Sequence, residues 1–171
     1  MKLALLAGGK ATRLYPKTMT IAKSMVEVAG KPFIDHQLRL LCSQGIREVV
    51  LCVGQFAGQI QEYVGSGEMF GIAVEYSIET GPLLGTGGAL KKALPVLGEQ
   101  FWVMYGDSYL PVEFAPIERS FAQSRAPALM TVYRNHNRYD TSNVEFSDNT
   151  VIRYDKTCIR IRIGMCTMYI G

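Results

Sequence analysis

The sequence predicts an α/β protein built on one mainly parallel sheet with helices on both faces, and three observations lead to this prediction. Short apolar runs alternate with segments of helical periodicity, which is the pattern of strands joined by crossover helices. Several of these runs end at glycine. The chain has 171 residues, 48% of them apolar, which suffices for one core and is short for two. We therefore expect a single domain over residues 1–171.

The first half of the chain contains three predicted strands and two predicted helices. Residues 3–7 are an unbroken apolar run that ends at Gly8-Gly9, as expected of a strand buried on both faces. In residues 33–42 the apolar side chains fall at helical spacing, and Gly45 marks the end of that helix. The remaining elements of this half are a strand, a short helix and a strand over residues 48–53, 59–64 and 73–78.

The second half continues this alternation and then changes character. Its predicted elements are a helix, a strand, a helix and a strand over residues 86–94, 101–105, 114–123 and 128–133. After Tyr139, residues 143–146 and 151–154 flank the polar run Ser147-Asp148-Asn149-Thr150. Two short strands on either side of such a run predict a hairpin with a tight turn.

The loops that follow the predicted strands are rich in glycine. In an open α/β sheet the ligand crevice lies beyond the carboxyl ends of the strands, so these loops meet at one edge. The glycines there are Gly8, Gly9, Gly54, Gly81, Gly85, Gly87, Gly88 and Gly106. A single glycine is explained by turn geometry, but several clusters at one edge favour close approach of the backbone to a ligand. Because Lys10, Thr12 and Arg13 follow the first pair, we expect that ligand to be an anion.

Composition excludes several classes of function. The net charge is +3 without any run of like charges, so the sequence carries no footprint of a nucleic-acid or membrane binder and suits a small anionic substrate. Four cysteines without a C-x-x-C pair or metal spacing indicate a reducing cytoplasm. The apolar run before Gly8 is too short for a signal peptide or a membrane span. His36 and His136 have no partner at ligand spacing, so we expect both to be structural or exposed.

Two common nucleotide-binding motifs do not fit. A dinucleotide fold requires G-x-G-x-x-G and an acid at the end of the second strand, whereas that strand is followed by Gly54-Gln55. A P-loop requires G-x-x-x-x-G-K and then Ser or Thr, but Met25 occupies the first glycine position and Pro32 follows Lys31. The sequence therefore argues against both NAD binding and a P-loop.

In the order and spacing of its motifs the chain resembles the sugar-1-phosphate nucleotidylyltransferase family. The N-terminal signature matches "LAGGKATRLYPKT", "AKSMVEVAGKP" and "FIDHQL", a later run matches "GPLLGTGGAL", and the metal-site G-D matches "VMYGDSYL". The similarity continues through "RYDTSNVEF" to "VIRYDK" and so covers residues 3–156. Within the family it is nearest the mannose- or heptose-1-phosphate guanylyltransferase type. It implies a Rossmann-like sheet of the nucleotide-diphospho-sugar transferase kind.

The resemblance also implies a reaction and its participants. Such an enzyme transfers a nucleoside monophosphate from a nucleoside triphosphate, here with GTP favoured, to a sugar-1-phosphate. The products are a nucleotide sugar and pyrophosphate. The implied cofactor is Mg²⁺, the implied compartment is the cytoplasm, and a homo-oligomer is compatible with it. Neither nucleic acid nor a membrane is an implied partner.

The resemblance to the family implies a role for individual residues of this chain. Of the implied catalytic residues, Arg13 clamps the β- and γ-phosphates, Lys23 steadies charge on the α-phosphate and Asp107 holds Mg²⁺. The implied nucleotide-binding residues are Leu6, Ala7, Gly8, Gly9, Thr12, Gln55, Gly85 and Thr86. The implied sugar-phosphate residues are Asn143, Asp155 and Lys156. Without the match to the family motifs, Lys23 and Lys156 would be interpreted as ordinary surface lysines and Asp107 as a turn residue.

The sequence departs from the family pattern at three places. Ala11 replaces a glycine, and Ala22 replaces the proline before Lys23, which loosens the loop that aims this lysine. After Lys156 the pattern stops, and the atypical tail over 157–171 contains no Asp or Glu, so a second metal-binding acid is missing.

We therefore expect a truncated or frame-shifted relative with weaker metal binding. The alternative is a catalytically weakened protein that binds a nucleotide or a nucleotide sugar. Residues 159–163 alternate apolar and basic side chains, which predicts a tail strand with an uncovered apolar face.

Overall fold

The fold consists of ten strands and four α-helices within the part of the chain that the structure describes. A computed structural model describes residues 1–9, 16, 19–134, 144–147 and 150–154, together with the backbone of 166–170. The strands are β1 (Lys2–Leu6), β2 (Glu27–Val28), β3 (Lys31–Pro32), β4 (Glu48–Val53), β5 (Ala73–Ile78), β6 (Phe101–Tyr105), β7 (Ala128–Val132), β8 (Val144–Ser147), β9 (Thr150–Tyr154) and β10 (Cys166–Ile170). The helices are α1 (Phe33–Ser43), α2 (Ala57–Val64), α3 (Gly85–Leu97) and α4 (Phe114–Ser124).

A six-stranded sheet in the order β5-β4-β1-β6-β10-β7 forms the centre of the protein. Its first four strands are parallel, with Leu3 of β1 opposite Val49 of β4 on one side and Trp102 of β6 on the other. β10 runs antiparallel to both β6 and β7. The predicted α/β class with a mainly parallel sheet is therefore confirmed.

Helices cover both faces of the parallel strands, as predicted. Alternate residues of each strand point to opposite faces, so each face has its own apolar cluster. On one face Leu3, Leu5, Leu51 and Trp102 pack with residues of α1, α2 and α4. On the other face Ala4, Val50, Cys52 and Val103 pack with residues of α3. Both faces of β1 and β4 are buried, which explains their unbroken apolar runs.

Most predicted elements agree with the structure to within about two residues, the usual spread of such boundaries. α3 differs, because it continues beyond the predicted end at 94 and passes through Pro95. Leu97 is 2% exposed in the cluster beneath this helix, and its burial extends the helix despite the backbone hydrogen bond that proline cannot donate. Gly98, at φ +85°, then ends it.

The second half also contains the predicted hairpin, formed by antiparallel β8 and β9. Residues 148–149 of its turn lie outside the described part. The alternating residues 159–163 also lie outside it, but a strand does form further along the tail, over Cys166–Ile170. Its backbone pairs with β6 on one side and β7 on the other, so the strand lies inside the sheet. The predicted uncovered apolar face of residues 159–163 stays a prediction. No helix in the described part of the chain has the length and apolar character that a bilayer crossing requires.

Candidate functional site

A pocket of about 320 Å³ lies at the carboxyl ends of the parallel strands. Its walls come from the ends of β1, β4 and β6, from the start of α3, and from a 3-10 helix over Lys23–Met25. Parallel strands end at one edge, so loops that are far apart in the sequence meet there. The pocket therefore stands where the glycine-rich loops predict a ligand crevice.

The Gly8-Gly9 loop passes closely between two neighbouring loops. The amide of Ala7 donates to the carbonyl of Cys52 at 2.8 Å, which fixes the end of β1 against β4. A Cβ on Gly8 would lie 3.2 Å from Oε1 of Glu79 and 3.4 Å from the amide nitrogen of Gly54. No described residue lies within 4 Å of a Cβ on Gly9. A side chain at Gly8 would therefore crowd its neighbours, whereas none of the described residues fills the space beside Gly9.

The loop before Lys23 is held although the family proline is absent. Ala22 has φ −60°, which is the value that proline imposes. Its amide donates to Oε1 of Gln59 in α2 at 3.0 Å, and Nε2 of Gln59 donates to the carbonyl of Thr20 at 2.7 Å. Proline could not donate this bond. The expected loosening of the loop is therefore opposed by a tether from α2.

Lys23 and Asp107 meet at the pocket. Nζ of Lys23 donates to Oδ2 of Asp107 at 2.6 Å, and the two side chains are 36% and 51% exposed. Such an exposed ion pair contributes little to stability, since water screens it. Its significance is chemical, because it places one cation and one carboxylate side by side at the wall of a cleft.

The turn that carries Asp107 is packed against β1. The amide of Gly106 donates to the carbonyl of Leu6 at 2.8 Å, and the amide of Ser108 donates to the carbonyl of Tyr105 at 3.0 Å. A Cβ on Gly106 would lie 2.7 Å from the carbonyl oxygen of Leu6. Only glycine permits this approach, so the Gly106-Asp107 sequence has a direct structural cause.

The start of α3 also lines the pocket. Gly85 has φ +72°, and Thr86 follows it in the first turn. Amides in the first turn of a helix have no partner within the helix, and they carry partial positive charge that favours anions. Oε2 of Glu79 accepts a hydrogen bond from the amide of Leu84 at 2.8 Å and so ties this loop to the end of β5.

The structure brings most of the described candidate residues together. Those that line the pocket are Leu6, Ala7, Gly8, Gly9, Lys23, Gly85, Thr86 and Asp107. Gln55 lies apart from them, in a small hollow on the other side of Gly8 and Gly9. Five candidates lie outside the described residues, and their roles stay predictions: Thr12, Arg13, Asn143, Asp155 and Lys156.

Sequence reasoning missed two polar residues of the pocket wall, Ser24 and Glu79. Glu79 directly follows β5, so the rule that selected Asp107 after β6 would have found it as well. Ser24 is 1% exposed, and its hydroxyl has no partner among the described residues. Its position beside Lys23 was the only available signal. Of the two histidines, His36 is structural, with Nε2 2.8 Å from the carbonyl of Val28.

The described residues suit a metal ion that takes some of its ligands from the substrate of the protein. They contain no group of three or more His, Cys, Asp or Glu that could hold a metal without help. Asp107 nevertheless offers one carboxylate, 51% exposed, at the pocket wall. Mg²⁺ is commonly bound by one or two carboxylates together with substrate phosphates and water. Asp107 is thus suited to Mg²⁺ that arrives with a polyphosphate.

The thiol in the pocket wall is not a nucleophile. Burial, assisted by the negative charge of Glu79, raises the pKa of Cys52 to about 11. The thiol therefore stays protonated at neutral pH, and it is the thiolate that reacts. Cys52 serves as a small apolar residue of the sheet, as its place in an apolar strand predicts.

Comparison with known proteins gives a consistent result. Residues 2–153 match the family described as Nucleotidyl transferase. A glucose-1-phosphate thymidylyltransferase from Streptomyces antibioticus is 40% identical over 75% of this chain and 36% of its own length. A D-glycero-alpha-D-manno-heptose 1-phosphate guanylyltransferase from Campylobacter jejuni is 34% identical over 86% of this chain and 65% of its own length. The chain thus spans about a third to two thirds of these relatives.

Solved structures agree with this result. HddC from Yersinia pseudotuberculosis, crystallised with GMP-PN, superposes with a TM-score of 0.71 at 25% identity over 98% of this chain and 72% of its own. A UDP-glucose pyrophosphorylase complexed with UDP-glucose superposes with a TM-score of 0.73 at 16% identity, over 99% of this chain and 74% of its own. The second match shows a shared fold.

Proposed function

This chain belongs to the nucleotidyl transferase family, and from that premise we propose that it transfers a nucleoside monophosphate from a nucleoside triphosphate to a sugar-1-phosphate. The observation that carries the proposal is the pocket at the carboxyl edge of the sheet. There Lys23 and Asp107 are paired at 2.6 Å, and the first turn of α3 lines the same pocket. Relatives in this family are named as transferases for several bases, which favours turnover over the binding-only alternative.

The proposed reaction is an in-line displacement at phosphorus. A phosphate oxygen of the sugar-1-phosphate forms a bond to the α-phosphorus of the triphosphate. The bond between the α-phosphorus and the oxygen that bridges to the β-phosphate breaks, and pyrophosphate leaves. An enzyme accelerates such a step mainly by positioning its substrates and neutralising charge. The protein therefore has to supply positive groups around the phosphates.

Residues of the pocket meet this need in the proposal. The amides of Gly8 and Gly9 and the first turn of α3 receive phosphate oxygens, and Lys23 neutralises charge on the α-phosphate. Asp107 holds Mg²⁺, which when bound neutralises phosphate charge. Leu6, Ala7, Gly85 and Thr86 line the pocket in which the nucleotide is proposed to lie.

The remaining roles rest on the motifs alone. Arg13 and Thr12 are proposed for the triphosphate and Gln55 for the base. Asn143, Asp155 and Lys156 are proposed for the sugar phosphate. Because Gln55 lies across the Gly8-Gly9 loop from the main pocket, its role requires the base to extend past that loop. We further propose GTP as the favoured triphosphate, from the resemblance to guanylyltransferases.

An activity screen tests the proposal. The chain is incubated with Mg²⁺, each of the four ribonucleoside triphosphates and a set of sugar-1-phosphates, and pyrophosphate release is measured. We expect release that depends on both substrates and is abolished by Asp107→Asn. Ligand binding without pyrophosphate release from any pair would contradict the proposed reaction and support the binding-only alternative.

A further inference from the structure

The side chain of Gln37 connects α1 to the turn that carries Asp107. Gln37 lies in the middle of α1 and is 0% exposed. Its Nε2 donates to the carbonyl of Ser108 at 2.7 Å and to the carbonyl of Tyr105 at 3.3 Å. These two residues stand on either side of Gly106-Asp107. One buried amide therefore bridges both ends of the turn.

This bridge adds to the bonds that the turn makes without it. The hydrogen bond from Ser108 to Tyr105 closes the turn, and the bond from Gly106 to Leu6 attaches its first half to β1. Among the bonds identified for the described residues, the one that holds the carbonyl of Ser108, beyond Asp107, comes from Gln37. The direction in which the Asp107 carboxylate leaves the turn thus depends on an element outside the loop.

Packing alone does not explain an amide at this position. The Oε1 atom of Gln37 is buried and has no partner among the described residues. Burying an unpaired polar atom costs free energy, and Leu or Met would fill the same space without that cost. The two donated hydrogen bonds are what an amide provides here and an apolar side chain does not.

We propose that Gln37 is a positioning residue that holds the Asp107 carboxylate beside Lys23 at the wall of the pocket. It acts on Asp107 through the backbone of the turn and does not itself line the pocket. Its importance for metal binding rests on the proposed function, in which Asp107 holds the cation. Replacing a residue that orients a metal ligand typically lowers metal affinity or activity by about 10- to 100-fold.

Amide hydrogen exchange of the full chain tests the structural part. Gln37→Met keeps the volume of the side chain and removes both donated bonds. We expect the amide of Ser108, which closes the turn, to exchange faster in Gln37→Met than in the wild type. The matched control is Leu38→Ala, which removes a neighbouring side chain of α1 that is also 0% exposed but makes no bond to the turn. Exchange is compared after normalisation to the amides of β1 and β4.

Manganese binding tests the functional part without turnover. Mn²⁺ is paramagnetic, so its binding broadens the NMR signals of nearby amides. In the wild type we expect selective broadening around Gly106 and Asp107. In Gln37→Met the same broadening should need roughly 10-fold more Mn²⁺, the lower end of the effect of losing a residue that orients a metal ligand. Leu38→Ala should leave the Mn²⁺ requirement unchanged, although it destabilises the fold.

The outcomes separate this inference from the proposed function. Unchanged Ser108 exchange in Gln37→Met, or an equal shift in Leu38→Ala, overturns the positioning role. Faster exchange of the Ser108 amide in Gln37→Met with an unchanged Mn²⁺ requirement overturns the proposed effect of Gln37 on metal binding. Absence of selective broadening in the wild type, together with faster Ser108 exchange in the variant, contradicts the metal role of Asp107 and leaves the structural role of Gln37 supported. If Gln37→Met does not fold, Gln37→Asn keeps the amide on a shorter arm and must show the same changes to a smaller degree.

Discussion

Two exposed lysine–carboxylate pairs of equal length occupy opposite ends of the parallel sheet. Lys23 meets Asp107 in the pocket, and Lys2 meets Glu75 at the amino ends of β1 and β5, both at 2.6 Å. Both pairs are open to water, so neither contributes much to stability. Lys2 also lies 4.0 Å from Glu48, but it stands outside the pocket, which makes it a natural control for the proposed role of Lys23.

Replacement of Lys23 by methionine should lower turnover strongly and leave the fold intact. We expect kcat for nucleotidyl transfer to fall about 100-fold or more, since a group that neutralises charge in the transition state is removed. The melting temperature should change little. The measurement is steady-state pyrophosphate release together with a thermal melt.

Lys2→Met serves as the control for this experiment. It also removes one lysine from a 2.6 Å ion pair, but Lys2 lies outside the pocket. It should retain the turnover of the wild type. Equal losses of turnover in both variants would attribute the effect to net charge and would contradict the role of Lys23.

A second prediction concerns Asp35, which is 1% exposed and lies in α1. Its carboxylate accepts hydrogen bonds from Arg39 at 2.7 Å and from the hydroxyl of Tyr63 at 3.0 Å. The hydrogen bond from Arg39, more than any other contact, holds the pKa of Asp35 below its ordinary value of 3.8. The ionised group therefore stabilises the folded state at neutral pH, and this contribution is lost as the pH falls through the lowered pKa.

The test of this prediction is the unfolding free energy of the wild type and of Asp35→Asn as a function of pH. Above the ordinary pKa of 3.8, the wild type should be the more stable by a constant margin. The margin should shrink as the pH falls below 3.8. A margin that grows in acid would mean that the folded protein raises this pKa.

At the residue scale, functional residues near the ends of strands can be predicted from the sequence. Residues that act through contacts with distant parts of the chain cannot. Asp107 was predictable because it stands two residues after the end of β6, in the G-D that matches the family motif. Gln37 was not, because its partners Tyr105 and Ser108 lie 68 and 71 residues away and nothing local marks them. Ala22 is an intermediate case: the missing proline was visible, but the hydrogen bond to Gln59 that replaces its effect was not.

At the scale of elements, the contact between the β6 turn and β1 determines where Asp107 lies. Gly106→Ala would place a Cβ 2.7 Å from the carbonyl oxygen of Leu6 and 3.0 Å from Cα of Ala7. We expect a loss of about 1–3 kcal/mol in unfolding free energy, as is usual for overpacking. We also expect weaker Mn²⁺ binding, since the turn must move away from β1. Chemical denaturation and a Mn²⁺ titration measure the two effects.

The matched glycine for this experiment is Gly87 in α3. No described residue lies within 4 Å of a Cβ there, and alanine is the better helix former. Gly87→Ala should therefore raise the unfolding free energy by up to about 1 kcal/mol. Destabilisation by both substitutions would indicate that a Cβ is poorly tolerated at both glycines. It would contradict a specific role of Gly106.

Elements were predictable where local pattern and burial agree. β4, β5 and β6 have the predicted bounds. β4 and β6 are mostly apolar runs, and β5 is rich in β-branched and aromatic residues and ends before a turn. The end of α3 was wrong by three residues, since the proline signal at Pro95 is local and the burial of Leu97 is tertiary. The place of β10 between β6 and β7 was beyond prediction, because pairing partners depend on the whole sheet.

For the whole molecule, the proposed site predicts stabilisation by its ligands. A nucleoside triphosphate with Mg²⁺ that binds only the folded state should add about 2.7 kcal/mol at 100 times its dissociation constant. We expect a corresponding rise in melting temperature, largest for the preferred base. Asp107→Asn should reduce the rise that depends on Mg²⁺. An equal rise in the absence of Mg²⁺ would contradict a metal role at this site.

The position of β10 has a consequence for how the protein is made. During synthesis the four parallel strands leave the ribosome first, and β7 emerges before the segment over Cys166–Ile170 that joins it to β6. Until that segment follows, the nascent chain presents β6 as an open edge, and open edges recruit foreign strands. We therefore expect chaperones to bind ribosome-tethered chains that stop at Val132 more than chains that extend through Ile170, each followed by a linker that carries the last strand beyond the exit tunnel. Equal binding of both would show that the edge is protected by other means.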